Sequence, residues 1–164
     1  MNRRRALFDE ALKLADRGST IDLTAFPVED GEDAWSAADG LLRYLDAGLP
    51  QERITVSSDA GGCLPVFDSD GRVSTFGVGS PGALARTLRE LLSRQQPLER
   101  VLPAFTANPA GLLRLTRKGR LGPGLDADLA TLDDRGNIVD VMAKGRWHLR
   151  DAAPLIRGTF EEVR

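Results

Sequence analysis

The chain has 164 residues, of which 41% are hydrophobic and 28% charged, with a formal net charge of -2. That length suits one globular domain, or one with a small appendage, and suffices to bury a core. The balanced charge gives no footprint for nucleic acid or a membrane surface, and no apolar run approaches the ~18 residues of a membrane span.

The N-terminus lacks the apolar stretch of a secretory signal, and the single cysteine, Cys63, excludes an intrachain disulfide. A reducing compartment fits both features, so a cytoplasmic location is expected. The basic run "NRRR" at 2–5 leads straight into an acidic helix and reads as a local cluster.

In chain order, "RRALFDEALKLADRG" (4–18) predicts a helix with Leu7, Phe8, Leu12 and Ala15 on one face and Gly18 as its C-terminal cap. "TIDLTA" (20–25) predicts a short strand. "EDAWSAADGLLRYLDAGLP" (32–50) predicts a second helix, with Trp35, Ala38, Leu41, Leu42 and Leu45 on one stripe and Gly48 and Pro50 as its stop. "RITVSS" (53–58) is the next strand. Helix, strand, helix, strand with short connections is an α/β signature, so the two strands should be parallel neighbours.

A longer loop is expected after Asp59, with turn formers in "FDSDGR" (67–72) and a short extended piece in "VSTFGVG" (73–79). "SPGALARTLRELLSRQQ" (80–96) predicts a helix with Ser80 as N-cap, Pro81 at its first position, and Leu84, Leu88, Leu91 and Leu92 as its apolar face. Two short helices follow, "PLERVLPAF" with Pro103 ending or bending it, and "NPAGLLRL" with Asn108 as cap. Beyond Gly119 the chain is glycine-punctuated and alternating. It predicts strands near 128–132, 138–143 and 146–149, with turns at "DDRGN" and "KG". The shift in style near residue 119 is the best internal boundary.

Few residues offer chemistry. Asp59 ends a β-branched run (Ile54, Thr55, Val56) and precedes only small residues. A turn or capping aspartate is the commoner role in that setting. The functional alternative is a strand-end carboxylate that binds metal or moves a proton. Arg3 has the planar fork that suits a carboxylate, against the commoner outcome of a solvated arginine near a terminus. Cys63 has no histidine partner in view, so an inert thiol outranks a nucleophile. His148, the single histidine, reads as structural or superficial. The glycines of "GVGSPG" follow no long buried strand and argue only faintly for phosphate binding.

"KGRLGPGLDADLATLD" (118–133), followed by "VMAKGRW" (141–147), resembles the C-terminal signature of the amidohydrolase superfamily: Gly119, Leu121, Gly124, Ala127, Asp128 and Leu129 fall in its pattern. "TANPAGLLRL" resembles the helix before that run. "NRRRALFDEALKLADRGSTIDLTA" (2–25) and "GLPQERITVSSDAGGCLPVFDSDGRVSTFGV" (48–78) resemble the isoaspartyl dipeptidases, or beta-aspartyl peptidases, within that superfamily. The resemblance runs over essentially the whole chain and covers only the later part of such an enzyme.

The resemblance implies the last elements of a partial (β/α)8 barrel over residues 1–118. The β strands of a small β-sandwich would occupy 119–164. It implies a binuclear zinc centre and hydrolysis of dipeptides linked through an aspartate side chain. By that resemblance Asp59 is a metal ligand and the proton carrier of catalysis. Arg3 is the arginine that grips a substrate carboxylate. Cys63 stands where the family has a substrate-holding serine, and a thiol is the poorer donor.

The family's histidine and lysine ligands have no counterparts in this chain; its last metal-binding histidine would lie two residues before Asn2. A full barrel takes ~250 residues and eight strands. The chain alone is therefore expected to bind no catalytic zinc, to hydrolyse nothing, and to be marginally stable or self-associating. Expected partners are a dipeptide in the parent enzyme and a second copy or a complementing N-terminal portion, with neither nucleic acid nor membrane. Two rivals remain: one half of a split enzyme, and a non-catalytic binding or assembly module derived from an amidohydrolase.

Overall fold

The computed structural model describes residues 1–68 and 70–158. Helix α1 (Arg5–Asp16) buries Phe8, Ala11 and Ala15, at the i, i+3, i+7 spacing of one helical face. Leu12 packs beside them, but Leu7, expected on this face, points out and is 52% exposed. Strand β1 (Ile21–Thr24) follows after a tight turn. Helix α2 (Ala37–Asp46) is shorter than the sequence suggests and buries Ala38, Leu41 and Tyr44. Trp35 precedes the helix, because Ser36 is the N-cap and accepts a hydrogen bond from the Asp39 N–H at 3.0 Å. The Trp35 ring is held between the guanidinium groups of Arg5 and Arg43.

Strand β2 (Ile54–Ser57) lies parallel to β1, with Ile21 opposite Ile54 and Thr24 opposite Ser57. The expected parallel pairing is thus present. β-Branched and aliphatic side chains from both strands (Ile21, Leu23, Ile54, Val56) enter one core with α1 and α2. On β1 the intervening Asp22 is exposed, and its carboxylate accepts hydrogen bonds from the Thr55 and Ser57 hydroxyls at 2.7 and 2.6 Å.

The extended piece expected at 73–79 is present as a strand, but the region after Asp59 otherwise differs from expectation. It is no plain loop but an antiparallel hairpin of β3 (Cys63–Phe67) and β4 (Val73–Val78). Pro65 and Gly77 lie inside these strands, and both residue types are depleted in sheets, which hid the hairpin from a propensity reading.

Helix α3 (Ala83–Ser93) starts at Ala83 rather than at Pro81. Ser80 therefore closes a turn, its carbonyl accepting the Ala83 N–H, instead of capping the helix. A short helix α4 (Leu98–Val101) runs into a 3₁₀ turn over Leu102–Phe105 that contains Pro103, and α5 spans Ala107–Leu112. Asn108 falls inside α5. In place of capping, its side-chain amide donates to the carbonyls of Gln51 and Ile54 and ties α5 to the start of β2.

The expected C-terminal strands are present as β5 (Leu129–Leu132), β6 (Ile138–Ala143) and β7 (Arg146–Arg150), joined by a two-residue β8 (Ala153–Pro154). They form one antiparallel meander in the order β5-β6-β7-β8. Arg89 on α3 reaches the Asn137 side chain at 2.8 Å and fixes the β5–β6 turn to the helical layer. No helix among the described residues is long and apolar enough to cross a membrane.

Candidate functional site

The carboxyl ends of β1 and β2 and the chain's first residues converge on one region. Asn2 is fully buried and runs beside β1: its amide donates to the Thr24 carbonyl at 3.0 Å and the Trp35 carbonyl at 2.8 Å, and its oxygen accepts the Thr24 N–H at 2.9 Å. With donor and acceptor both matched, Asn2 replaces a neighbouring strand's backbone at that point. The next residue, Arg3, is thereby aimed across the top of the sheet.

Arg3 lies with its guanidinium over the Phe26 ring, 5.1 Å from the centroid. One nitrogen donates to the Asp59 carboxylate at 3.3 Å and the other to the Pro65 carbonyl at 3.5 Å. Two of the three sequence candidates are thus in contact across 56 residues of chain. The Arg3 side chain is 21% exposed and that of Asp59 48%, so the pair sits at an open mouth. The long separation and open setting make this a loose ion pair, and its guanidinium remains available to another carboxylate.

Asp59 is held by an unusual piece of backbone. Its φ is +47°, the left-handed region that aspartate tolerates better than most residues. Gly79 backs onto it: a Cβ there would lie 1.8 Å from the Asp59 carbonyl oxygen, and a Cβ on Gly62 would lie 2.5 Å from its carboxylate. Hydrogen bonds from Gly61 to Gly79 and from Gly79 to Gly62, both 2.9 Å, lock the base of the hairpin against Asp59. Only glycine permits this approach.

Cys63, the third candidate, opens β3 and is exposed. It shares the Asp59 loop but makes no side-chain hydrogen bond among the described residues. His148 is exposed on β7 in the C-terminal sheet and takes no part in these contacts.

Asn2, Phe26, Gly62 and Gly79 were missed in the sequence. The polar–apolar alternation of "TIDLT" does signal a β1 face carrying Asp22 and Thr24. Nothing local marks Asn2 as buried. Among the described residues no group of three or more His, Cys, Asp or Glu side chains is arranged to hold a metal ion. Asp59 offers one carboxylate where a zinc takes about four ligands. The residues present do not fit a self-contained metal centre.

Comparison with known proteins places this geometry in context. The chain is 37% identical to the beta-aspartyl dipeptidase of Fervidobacterium islandicum AW-1, solved in complex with beta-Asp-Leu dipeptide. That match has a TM-score of 0.82 and covers 98% of this chain but 41% of the dipeptidase. It is 29% identical to Deacetylase Atu3266 of Agrobacterium fabrum, over 81% of this chain and 38% of that protein. The N-acetylglucosamine-6-phosphate deacetylase of Pasteurella multocida, at 15% identity and a TM-score of 0.59, shares the fold over 84% of this chain and 38% of its own. The chain therefore spans about two fifths of the length of each of these relatives. The Amidohydrolase family profile matches residues 10–148, and the chain belongs to that family.

Proposed function

We propose that this chain is the C-terminal portion of a zinc-dependent beta-aspartyl dipeptidase, with residues 1–118 in its barrel and 119–164 in its small sandwich domain. The observation that carries the reading is the Arg3–Asp59 pair at the carboxyl ends of parallel strands. That is where enzymes of barrel architecture keep their reacting groups. Amidohydrolases are in general metal-dependent, and the Fervidobacterium dipeptidase, similar over 98% of this chain, was captured with beta-Asp-Leu.

In this reading Asp59 contributes one carboxylate to a metal site completed by ligands from outside the described residues. Arg3 binds the dipeptide's C-terminal carboxylate. Hydrolysis adds water across the amide: the hydroxyl goes to the aspartyl side-chain carbonyl carbon and a proton to the departing amine. In the same reading Asp59 holds and passes that proton.

The test is to purify the chain assembled with the part of the Fervidobacterium dipeptidase that the match leaves uncovered, and to measure leucine release from beta-Asp-Leu. We expect turnover from the assembly, none from the chain alone, and a loss on the order of a thousandfold with Asp59→Asn. A stable assembly that hydrolyses nothing, or one indifferent to Asp59→Asn, would overturn the reading in favour of a non-catalytic module.

A further inference from the structure

The loop between β1 and α2 carries Phe26, the ring beneath the Arg3 guanidinium, and this loop is tied down at both ends. At its start the Ala25 N–H donates to the Ser57 carbonyl at 2.7 Å, which carries the β1–β2 pairing one residue past Thr24. Phe26 therefore leaves the sheet directly. At its end Trp35 donates its N–H to the Asn2 carbonyl at 2.9 Å and accepts the Asn2 side-chain amide at 2.8 Å. Arg5 adds two more ties, from its backbone N–H to the Asp33 carbonyl at 3.2 Å and from its Nε to the Ala34 carbonyl at 3.3 Å.

The residues that anchor the far end of the loop, Asn2 and Arg5, flank Arg3 in the chain. Backbone contacts thus fix the ring and the arginine against each other before their side chains meet. Phe26 is half-buried, and the Arg3 guanidinium lies over it, 5.1 Å from the ring centroid. A cation over an aromatic face draws on the charge distribution of the ring and uses none of its own N–H donors. The Asp59 and Pro65 contacts engage two of the five donors of the guanidinium. An arginine has a long stem with much rotamer freedom, and a side chain already held loses less of it when a ligand binds. The open ion pair to Asp59 is too loose to supply that restraint.

We propose that Phe26 is a positioning residue: its ring holds the Arg3 guanidinium ready for a carboxylate, and so sets how tightly substrate is bound and not how fast it is cleaved. This rests on the dipeptidase reading above and adds to it a residue that acts through Arg3.

The test in the assembly with the complementing dipeptidase portion is a comparison of Phe26→Leu with Phe26→Tyr. Leucine keeps apolar bulk but has no aromatic face, whereas tyrosine keeps the face. We expect Phe26→Leu to raise KM for beta-Asp-Leu about three- to tenfold, with kcat changed by less than about twofold, and Phe26→Tyr to restore KM. An unchanged KM in Phe26→Leu overturns the inference. So does a matching fall in kcat, or a tyrosine variant as impaired as the leucine one, since the ring would then serve the fold at large.

A second measurement needs no hydrolysis. The 164-residue chain at micromolar concentration is treated with phenylglyoxal, which modifies guanidinium groups, and the rate at each arginine is read by mass spectrometry. Phe26→Leu should speed modification of Arg3 about threefold or more, and Phe26→Tyr should not. Arg94, bound to Asp39 and Glu90, is the internal control and should keep one rate in all three proteins. Equal Arg3 rates, or acceleration of Arg94 together with Arg3, overturn the inference. An unsubstituted assembly that hydrolyses nothing would reject the dipeptidase reading, and the modification rates would still decide whether Phe26 holds Arg3.

Discussion

At the scale of residues, the chain shows how far apart a site's parts lie in sequence. Asp59 stood out because a β-branched run ended in a carboxylate followed by small residues. Its contact with Arg3 was not legible, since no local rule links residues 56 apart. Asn2 was invisible for another reason: an asparagine near a terminus is ordinarily solvated, and only the fold makes this one fully buried with three hydrogen bonds. Asn2→Ala would leave the Thr24 N–H and two carbonyls without partners. We expect it to cost about 2–3 kcal/mol in urea unfolding, with Arg3 displaced as a consequence. The backbone at Asp59 also guides mutagenesis. Asparagine accepts a positive φ as aspartate does, so Asp59→Asn removes the charge and one acceptor oxygen without adding backbone strain, whereas alanine there adds strain.

At the scale of elements, the helices and the β1–β2 pair were legible from periodicity, and of the β3–β4 hairpin only β4 was. Pro65 and Gly77 each weaken a strand reading, yet tertiary placement against Asp59 and Arg3 overrides both. Helix starts were misread for a related reason: Ser80-Pro81 and Asn108-Pro109 both look like caps, but one forms a turn and the other lies within α5.

Helix α2 offers a test of its own. Burial works to raise the Asp39 carboxyl, but hydrogen bonds from Arg94 and Ser36, with the Arg94 and Arg43 charges, outweigh it and hold the group below its usual value. A carboxylate depressed in the folded state adds stability above its unfolded pKa of about 3.9. That contribution fades as pH falls through the lower folded value. Arg94 donates to Asp39 at 2.7 Å and joins it to α3. We expect Arg94→Met to lower the melting temperature at neutral pH. It should also flatten the loss of stability below about pH 4, as followed by circular dichroism. An identical acid profile in both proteins would show that the pair contributes nothing.

At the scale of the molecule, the α/β class, the C-terminal meander and the partial extent of the barrel were readable in the sequence, and the contacts made at the edges of its two strands were not. Parallel sheets are ordinarily covered on both faces and continued at both edges. Here β1 and β2 form a two-stranded sheet with no further strand among the described residues. Helices cover one face. The Met1 amino group and the Asn2 side chain satisfy the outer edge of β1 at Asp22 and Thr24, and Asn108 satisfies that of β2 at Ile54. We expect the isolated chain to sediment as a concentration-dependent mixture at micromolar loading. The complementing dipeptidase portion should suppress that association. A single monomeric species over a hundredfold range of concentration would refute this.

The two open edges also set a race. Pairing between copies is second order in chain and slows on dilution. Closure by strands in the same polypeptide is first order, at an effective concentration on the order of millimolar. The same backbone groups that make this chain adhesive in free solution would thus be occupied before any encounter whenever the rest of the barrel is covalently attached. Whether the missing strands arrive in cis or in trans then decides whether assembly depends on how much of the chain is made.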